Sequence, residues 1–177
     1  TSIIVLGNDG TNYGYNTSGF PVTNQLAGMA DILNARAIYD ATYLYFRLDL
    51  RSNINLSAGG YGIYLDTDRN TNTGYLTSWN TVGADYRFYN GDLYRFTGTN
   101  QTDFGGFVQT NNAAWFAIAN TNEAKMEIAL RRTAIGWTTT NAMGIFFNAT
   151  DNKGPGFPDD INDYLKELGQ GGIVYPP

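Results

Sequence analysis

The chain has 177 residues, a formal net charge of −5 and a sequence pI of about 4.5. It contains no cysteine and no histidine, which excludes a disulfide framework, a thiol nucleophile, a Ser-His triad and the usual zinc sites. The 11 lysines and arginines form no basic cluster, and the apolar runs are too short to cross a bilayer, so nucleic-acid binding and membrane insertion are excluded.

The length predicts one domain, residues 1–177, with a core of its own. Charged residues make up 15% of the chain, against about 25% in ordinary domains, and aromatic residues make up another 15%. Glycine, asparagine and threonine fill the difference. This composition is typical of strands and turns rather than of helices.

The first well-defined strand pair is predicted over residues 35–50. A strand at residues 37–39 is followed by a turn at residues 40–42 and a second strand at residues 43–50. Apolar and polar side chains alternate along the second strand, which predicts that one of its faces is buried. Its inward residues are Leu44, Phe46, Leu48 and Leu50, and its outward residues are Tyr43, Tyr45, Arg47 and Asp49.

The next predicted strand, at residues 61–65, leads into an oxygen-rich loop. Side-chain oxygens recur at every second position of this loop, and Gly74 follows where the chain must turn; the four residues are Asp66, Asp68, Asn70 and Asn72. Because Ca²⁺ takes about six to eight oxygen ligands, this spacing predicts a calcium loop at the end of a strand. The alternative is a polar hairpin loop that holds no metal.

The loop is not an EF-hand. An EF-hand requires glycine at its sixth position and a bidentate glutamate at its twelfth, and those positions hold Thr71 and Thr77. No helical pattern precedes the loop either. Asp85 is the predicted fifth ligand, because it begins a strand that can lie beside the strand ending at Asp66. An ordinary aspartate at a strand end is the alternative for Asp85.

A hairpin is predicted over residues 85–97. Asn90 and Gly91 stand between two aromatic strands, and this pair favours the two positive φ angles of a type I′ turn. The resulting register places Phe88 opposite Leu93 and Arg87 opposite Tyr94.

The remaining pattern completes an all-β fold. Further strands are predicted at residues 104–108, 113–119, 125–130 and 143–148, with Met126, Ile128 and Leu130 pointing inward. Residues 160–168 predict one short C-terminal helix that ends at Gly169. Many short strands at regular spacing predict a two-sheet antiparallel β-sandwich of the jelly-roll or immunoglobulin-like kind.

Aromatic residues near the loop suggest a sugar platform. Flat rings stack on the apolar C–H faces of sugars while polar neighbours bond the hydroxyls. Trp79 is flanked by threonine, serine and asparagine, and Tyr75 is close to it in sequence. Trp115 adjoins Phe116 in a predicted strand, so one of the two rings faces outward. Core packing is the alternative for each ring, and Trp137 is expected to plug an end of the sandwich.

Carboxylates form no recognisable catalytic pair. A glycosidase requires two carboxyl groups about 5–10 Å apart. The candidates lie in no distinctive motif, and we expect Glu127 to pair with Arg47 across strands; the candidates are Asp49, Asp85, Glu123, Glu127 and Asp151. We therefore expect no enzymatic activity, and a carboxylate-based glycosidase is the weakest of three functional hypotheses.

Four segments in order resemble a calcium-bearing β-sandwich superfamily, which includes family 9 carbohydrate-binding modules and DOMON-like domains. The segments are Asp31-Ile32 with Tyr43-Leu44-Tyr45-Phe46, Tyr64-Leu65-Asp66-Thr67-Asp68 with Thr73-Gly74-Tyr75, Gly83-Ala84-Asp85-Tyr86, and Met126-Glu127-Ile128-Ala129-Leu130. The resemblance covers residues 30–150 and implies that Asp66, Asp68 and Asp85 are structural metal ligands. It departs at Asn8-Asp9-Gly10, where the tryptophan usual in that family is missing.

The resemblance and the residues together predict a non-catalytic carbohydrate-binding module stabilised by Ca²⁺. The expected ligand is a neutral polysaccharide or oligosaccharide, since the chain is acidic. The alternative is a structural or docking domain of a larger secreted enzyme or surface protein, without a sugar ligand. We expect a secreted or cell-surface bacterial protein that works beside other domains. No signal-peptide pattern begins at Thr1, so we expect a mature or excised segment.

Overall fold

A computed structural model describes residues 4–8, 13–15, 21–23, 32–56, 59–76, 82–110, 115–119, 123–138, 142–150, 162–165 and 172–174. In the six segments 4–8, 13–15, 21–23, 115–119, 162–165 and 172–174 it describes the backbone alone. The described residues form two antiparallel sheets.

The smaller sheet has five strands in the order β1-β4-β5-β11-β10. Neighbouring strands all run antiparallel. The strands are β1 (Ile4–Asn8), β4 (Ile32–Tyr39), β5 (Tyr43–Leu50), β10 (Trp115–Ala119) and β11 (Lys125–Arg131).

The larger sheet has nine strands in the order β3-β2-β13-β12-β6-β7-β8-β9, with β14 also paired to β12. Its strands are β2 (Tyr13–Tyr15), β3 (Pro21–Thr23), β6 (Gly60–Asp66), β7 (Tyr86–Tyr89), β8 (Asp92–Phe96), β9 (Phe107–Gln109), β12 (Met143–Thr150), β13 (Asn162–Leu165) and β14 (Gly172–Val174). The two sheets confirm the predicted all-β sandwich.

The main core lies between the sheets. In β5 the apolar residues predicted to face inward are all buried, and the predicted outward residues are partly exposed. Met126, Ile128 and Leu130 of β11 are buried beside them, as predicted. Phe46 of β5 meets Phe147 of β12 edge to face, with ring centroids 6.0 Å apart. This contact joins one sheet to the other.

The larger sheet is covered on both faces. β6 and β12 are buried at every position, although inward and outward side chains alternate along both strands. Outward residues of these strands belong to a second apolar cluster, made of Tyr64, Tyr75, Val82, Ala84 and Phe146 with Phe96 and Phe107 packed against it. The loops that contribute to this outer cluster also build the candidate site.

Two elements differ from the sequence predictions. The predicted helix at residues 160–168 is wrong, because residues 162–165 form strand β13 and pair with β12. Residues 104–106 form a 3-10 turn instead of a strand, because the Asp103 carboxylate accepts the Gly105 amide at 2.9 Å and begins the turn. The described residues contain no α-helix.

The Asn90-Gly91 hairpin has the predicted form. Both residues have positive φ, 45° and 105°, and the register pairs Phe88 with Leu93 and Arg87 with Tyr94. Asn90 also joins the hairpin to β6. Its Oδ1 accepts the Tyr61 amide at 2.8 Å, and its Nδ2 donates to the Gly59 carbonyl at 2.9 Å.

We predict that Asn90→Ala destabilises the domain by about 2–3 kcal/mol. The substitution removes both bridging hydrogen bonds at buried backbone groups and leaves alanine at a positive φ that it tolerates poorly. Urea unfolding measures the change. Asn53→Ala, at an exposed residue, serves as the control and should change stability by less than about 0.5 kcal/mol. Equal effects of the two substitutions would contradict the role given to Asn90.

Candidate metal centre

Asp66 is the last residue of β6, and it packs closely against a glycine on the neighbouring strand. Only 3% of Asp66 is exposed. Gly144 of β12 lies opposite it, and a Cβ at Gly144 would stand 3.1 Å from the Asp66 Cβ and 3.1 Å from Val82. Gly144 therefore leaves the space that the buried carboxylate occupies.

The loop after Asp66 closes through its own polar side chains. The Asn70 amide donates to Asp66 Oδ1 at 3.2 Å and to Asp68 Oδ1 at 2.9 Å. Thr73 Oγ1 donates to Asp68 Oδ2 at 3.1 Å and to the Asn70 carbonyl at 2.9 Å. Bonds between such side chains and nearby backbone are what Asp, Asn and Thr favour in turns. They hold the carboxylates of Asp66 and Asp68 on the inside of the loop.

Close backbone packing brings the segment 82–85 against this loop. Gly74 has a φ of 71°, and a Cβ there would lie 2.5 Å from the Gly83 carbonyl oxygen. Tyr75 and Ala84 exchange two backbone hydrogen bonds of 2.9 Å, and the Asp85 amide donates to the Leu65 carbonyl at 2.9 Å. Since only glycine fits this approach, Gly74 and Gly83 allow Asp85 to reach the end of β6.

Three carboxylates consequently meet at one point. Each of Asp66, Asp68 and Asp85 offers an oxygen, and the three oxygens lie within 4.8 Å of one another. Asp66 is buried, Asp85 is partly buried and Asp68 is exposed, and together they could hold a metal ion. Asp85 therefore lies close to Asp66, as predicted, because β7 pairs with β6.

Electrostatics make the cluster costly without a cation. Burial, together with the charge of Asp85, raises the pKa of Asp66 to about 6. Burial also raises the pKa of Asp85, although the Thr67 amide and hydroxyl donate to Asp85 Oδ2 at 2.9 and 2.7 Å. Like charges this close repel by several kcal/mol at an effective dielectric constant of about 20. A bound cation would reverse that repulsion.

Asn70 and Asn72 remain predicted ligands. Asn70 Oδ1 accepts the Asn72 amide at 3.1 Å, so this oxygen takes part in closing the loop. Both residues are exposed. The three aspartates are brought together, and the role of the two asparagines as ligands stays a prediction.

A second loop is fastened to the candidate metal loop. Gln101 Nε2 donates to the carbonyls of Thr71 and Thr73 at 3.0 and 3.1 Å, and the Leu76 amide donates to the Gln101 carbonyl at 2.9 Å. Gln101 belongs to the segment 97–106 between β8 and β9. These three hydrogen bonds join the candidate metal loop to the second loop.

Of the aromatic rings considered for sugar stacking, the structure describes the side chains of Tyr75 and Trp137. Trp79 lies outside the described residues, and so does the side chain of Trp115. Tyr75 is only 3% exposed and packs against Phe107, with ring centroids 5.2 Å apart, in the outer cluster. Its ring offers no open face to a sugar, so the prediction that Tyr75 stacks on the ligand is wrong. Trp137 is buried against Tyr39 at one end of the core.

Three of the candidate catalytic carboxylates outside the cluster are paired with basic residues. Glu127 lies opposite Arg47, as predicted, at 3.5 Å, and Asp49 bonds the same arginine at 2.8 Å. Glu123 pairs with Lys125 at 2.8 Å. Asp151 lies outside the described residues. These pairs explain Asp49, Glu123 and Glu127 as solvated ion pairs on strand surfaces.

Sequence reasoning missed two further candidate residues, Phe104 and Arg87. Phe104 is 49% exposed and packs its ring against Tyr75 at 5.7 Å. Arg87 is buried, and its guanidinium lies 4.4 Å from the Phe104 ring centroid. The hairpin register gave the position of Arg87, but no local pattern indicates that the 97–106 loop folds back over it.

No protein-family model matches the chain, and no curated protein sequence matches it as a relative. Among the described residues, no helix has the length and apolar character needed to traverse a bilayer. The candidate functions therefore rest on the fold and the site.

We predict that the metal-free protein loses stability as the pH rises from 5 to 7. The folded pKa of Asp66, about 6, lies above its ordinary value of 3.8, so the folded state keeps a proton that the unfolded state has lost. Stability from this group is complete below the ordinary pKa and disappears as the pH rises through the folded pKa.

Urea unfolding in EDTA at pH 5 and pH 7 measures this change. We expect a lower midpoint at pH 7, and a smaller difference between the two values for Asp66→Asn, which cannot ionise. A midpoint that is unchanged or higher at pH 7 would contradict the electrostatic account of the cluster.

Proposed function

We propose that the protein is a Ca²⁺-stabilised β-sandwich module that binds carbohydrate without cleaving it. The observation that carries the proposal is the connection between the carboxylate cluster and an exposed aromatic ring. Gln101 joins the loop of Asp66 and Asp68 to the loop of Phe104. One ion would thus order both the fold and the surface that meets the ligand.

Calcium fits the cluster on chemical grounds. The three side chains supply hard oxygens only, and no nitrogen or sulfur ligand is available from histidine or cysteine in this chain. Calcium accepts six to eight oxygens in a flexible geometry, so carbonyls and waters can complete a shell begun by three carboxylates. Magnesium demands stricter octahedral geometry and gives up its waters reluctantly.

Phe104 supports the carbohydrate part of the proposal. An aromatic ring that is half exposed and held from below by Tyr75 and Phe107 is a rigid flat surface. Rigid aromatic surfaces lose little conformational entropy when a ligand stacks on them. Trp79, which follows the same metal loop in sequence, remains a predicted second ring.

The resemblance to calcium-bearing β-sandwich modules favours the same proposal. It rests on the segments that contain Asp66, Asp68 and Asp85, and these residues form the carboxylate cluster. A secreted or cell-surface location is consistent with it, because extracellular Ca²⁺ saturates sites with Kd values of about 10⁻⁴–10⁻³ M. If the binding test below finds no glycan ligand, the alternative of a docking domain without a sugar ligand is supported.

We predict that Ca²⁺ stabilises the folded protein and that Asp68→Asn removes most of the effect. A cation that binds only the folded state adds about 2.7 kcal/mol at one hundred times its Kd. Thermal unfolding in EDTA and in millimolar CaCl₂ measures this difference, with MgCl₂ at the same concentration as the ion control. Asp103→Asn, which changes an exposed aspartate outside the cluster, should retain the response. Equal midpoints in EDTA and CaCl₂ would refute the calcium site.

We predict micromolar to millimolar affinity for a neutral glycan, weakened at least tenfold by Phe104→Ala, which corresponds to about 1.4 kcal/mol. Affinity electrophoresis on glucans, xylans and mannans measures it, with Trp79→Ala tested in parallel. Val108→Ala is the matched control. Val108 is 55% exposed, and it follows Phe107 in β9, so its side chain lies on the opposite face of that strand.

No polysaccharide should release reducing sugar in the same samples. Unretarded migration on the whole panel would reject carbohydrate binding and favour the docking domain. Retardation that survives both aromatic substitutions would reject the proposed surface.

A further inference from the structure

Arg87 is a buried cation enclosed by aromatic rings. It lies in the middle of β7, pairs in register with Tyr64 and Tyr94, and is 7% exposed. Its guanidinium carbon lies within 5.0 Å of four ring centroids, those of Tyr89, Tyr94, Phe104 and Phe107. The rings stabilise the positive charge through their negative faces.

The charge of Arg87 has no carboxylate partner among the described residues. No described acid lies within ion-pair distance of it, and its buried Nε makes no hydrogen bond. One donor reaches the Tyr64 side chain. Buried arginines are normally matched by an anion, because removing a charge from water without one is costly. Within the described part of the chain, Arg87 is therefore a buried charge with an unused Nε donor.

Acids on the neighbouring strands and loop are occupied elsewhere. Asp92 accepts Gln109 Nε2 at 2.8 Å, and Asp103 accepts the Gly105 amide at 2.9 Å. Asp85 accepts two hydrogen bonds from Thr67 and belongs to the carboxylate cluster. Within the described part of the chain, these three carboxylates therefore make their contacts away from Arg87.

Phe104 is the outermost of the four rings around Arg87. Its ring centroid is the closest of the four to the guanidinium carbon, at 4.4 Å, and it is the most exposed of the four rings. It stands at the start of a three-residue turn and is followed by two glycines.

We propose that Arg87 recognises the carboxylate of a uronic acid residue in the bound glycan, with Phe104 stacking on the same sugar. This inference rests on the proposed carbohydrate-binding function. A planar carboxylate can accept two parallel hydrogen bonds from one edge of a guanidinium, and Nε is one of the donors of such an edge. The surrounding rings fit the apolar face of the sugar.

The net charge of the chain limits the class of glycan further. At −5 the domain repels a dense polyanion, but at physiological salt this field is screened beyond about 8 Å. A single uronate on an otherwise neutral polysaccharide avoids the repulsion and still reaches Arg87. The ligand class is therefore a neutral glycan with isolated uronic acid groups, not a continuous polyuronate.

The test compares one polymer with and without its carboxylates. Xylan that carries glucuronic acid side groups is measured against the same xylan after chemical reduction of its carboxyl groups to alcohols. Affinity electrophoresis in CaCl₂ is run with the wild type, Arg87→Lys and Val108→Ala. We expect the wild type and Val108→Ala to bind the native xylan at least tenfold more tightly than the reduced xylan, and Arg87→Lys to reduce this ratio below twofold.

The outcomes separate the two proposals. Equal binding of native and reduced xylan by the wild type overturns the role of Arg87 and leaves carbohydrate binding intact. Binding of neither polymer, nor of any neutral glycan, overturns both. A preference for native xylan that Arg87→Lys retains also overturns the inference. Thermal unfolding of Arg87→Lys checks its fold, and if the variant does not fold, the wild-type comparison of the two xylans decides.

Discussion

Repulsion among three carboxylates at the end of β6 is the interaction on which the outer half of this sandwich depends. Asp66, Asp68 and Asp85 come from two separate segments, and their oxygens lie within 4.8 Å of one another. Backbone and threonine donors compensate part of the charge, but burial still raises the pKa of Asp66 to about 6. A divalent cation would replace the repulsion between the carboxylates with attraction and so link the two segments, because each carboxylate would then face a positive charge.

The same two segments cover the outer face of the larger sheet. Tyr75 and Ala84, which exchange backbone hydrogen bonds beside the cluster, both belong to the outer apolar cluster. Gln101 extends the connection to the loop of Phe104. The inter-sheet core is a separate apolar cluster, with contacts such as Phe46 with Phe147. The described residues thus form two apolar clusters, and the outer one includes residues of the segments that carry the carboxylates.

Local sequence patterns predicted those elements that depend on only a few adjacent residues. Alternation in β5 identified its buried face, and Asn90-Gly91 set the hairpin register, because periodicity and positive φ depend on a few adjacent residues. The helix predicted at residues 160–168 failed because pairing with β12 outweighs local helical preference. Tyr75 was expected at the surface, since nothing local shows that the 97–106 loop returns to cover it. The Arg87–Phe104 contact was missed for the same reason: it joins residues on separate elements through that loop.

Amide hydrogen exchange with and without Ca²⁺ tests the coupling most directly. The informative amides are those of Leu76, Thr97 and Gly106, whose hydrogen bonds tie the two loops together or close the second one. The account predicts that Ca²⁺ slows exchange at these amides at least tenfold, that Asp68→Asn abolishes the slowing, and that amides in β5 and β11 change little. Equal exchange at the loop amides with and without Ca²⁺ would contradict the central role of the carboxylate cluster.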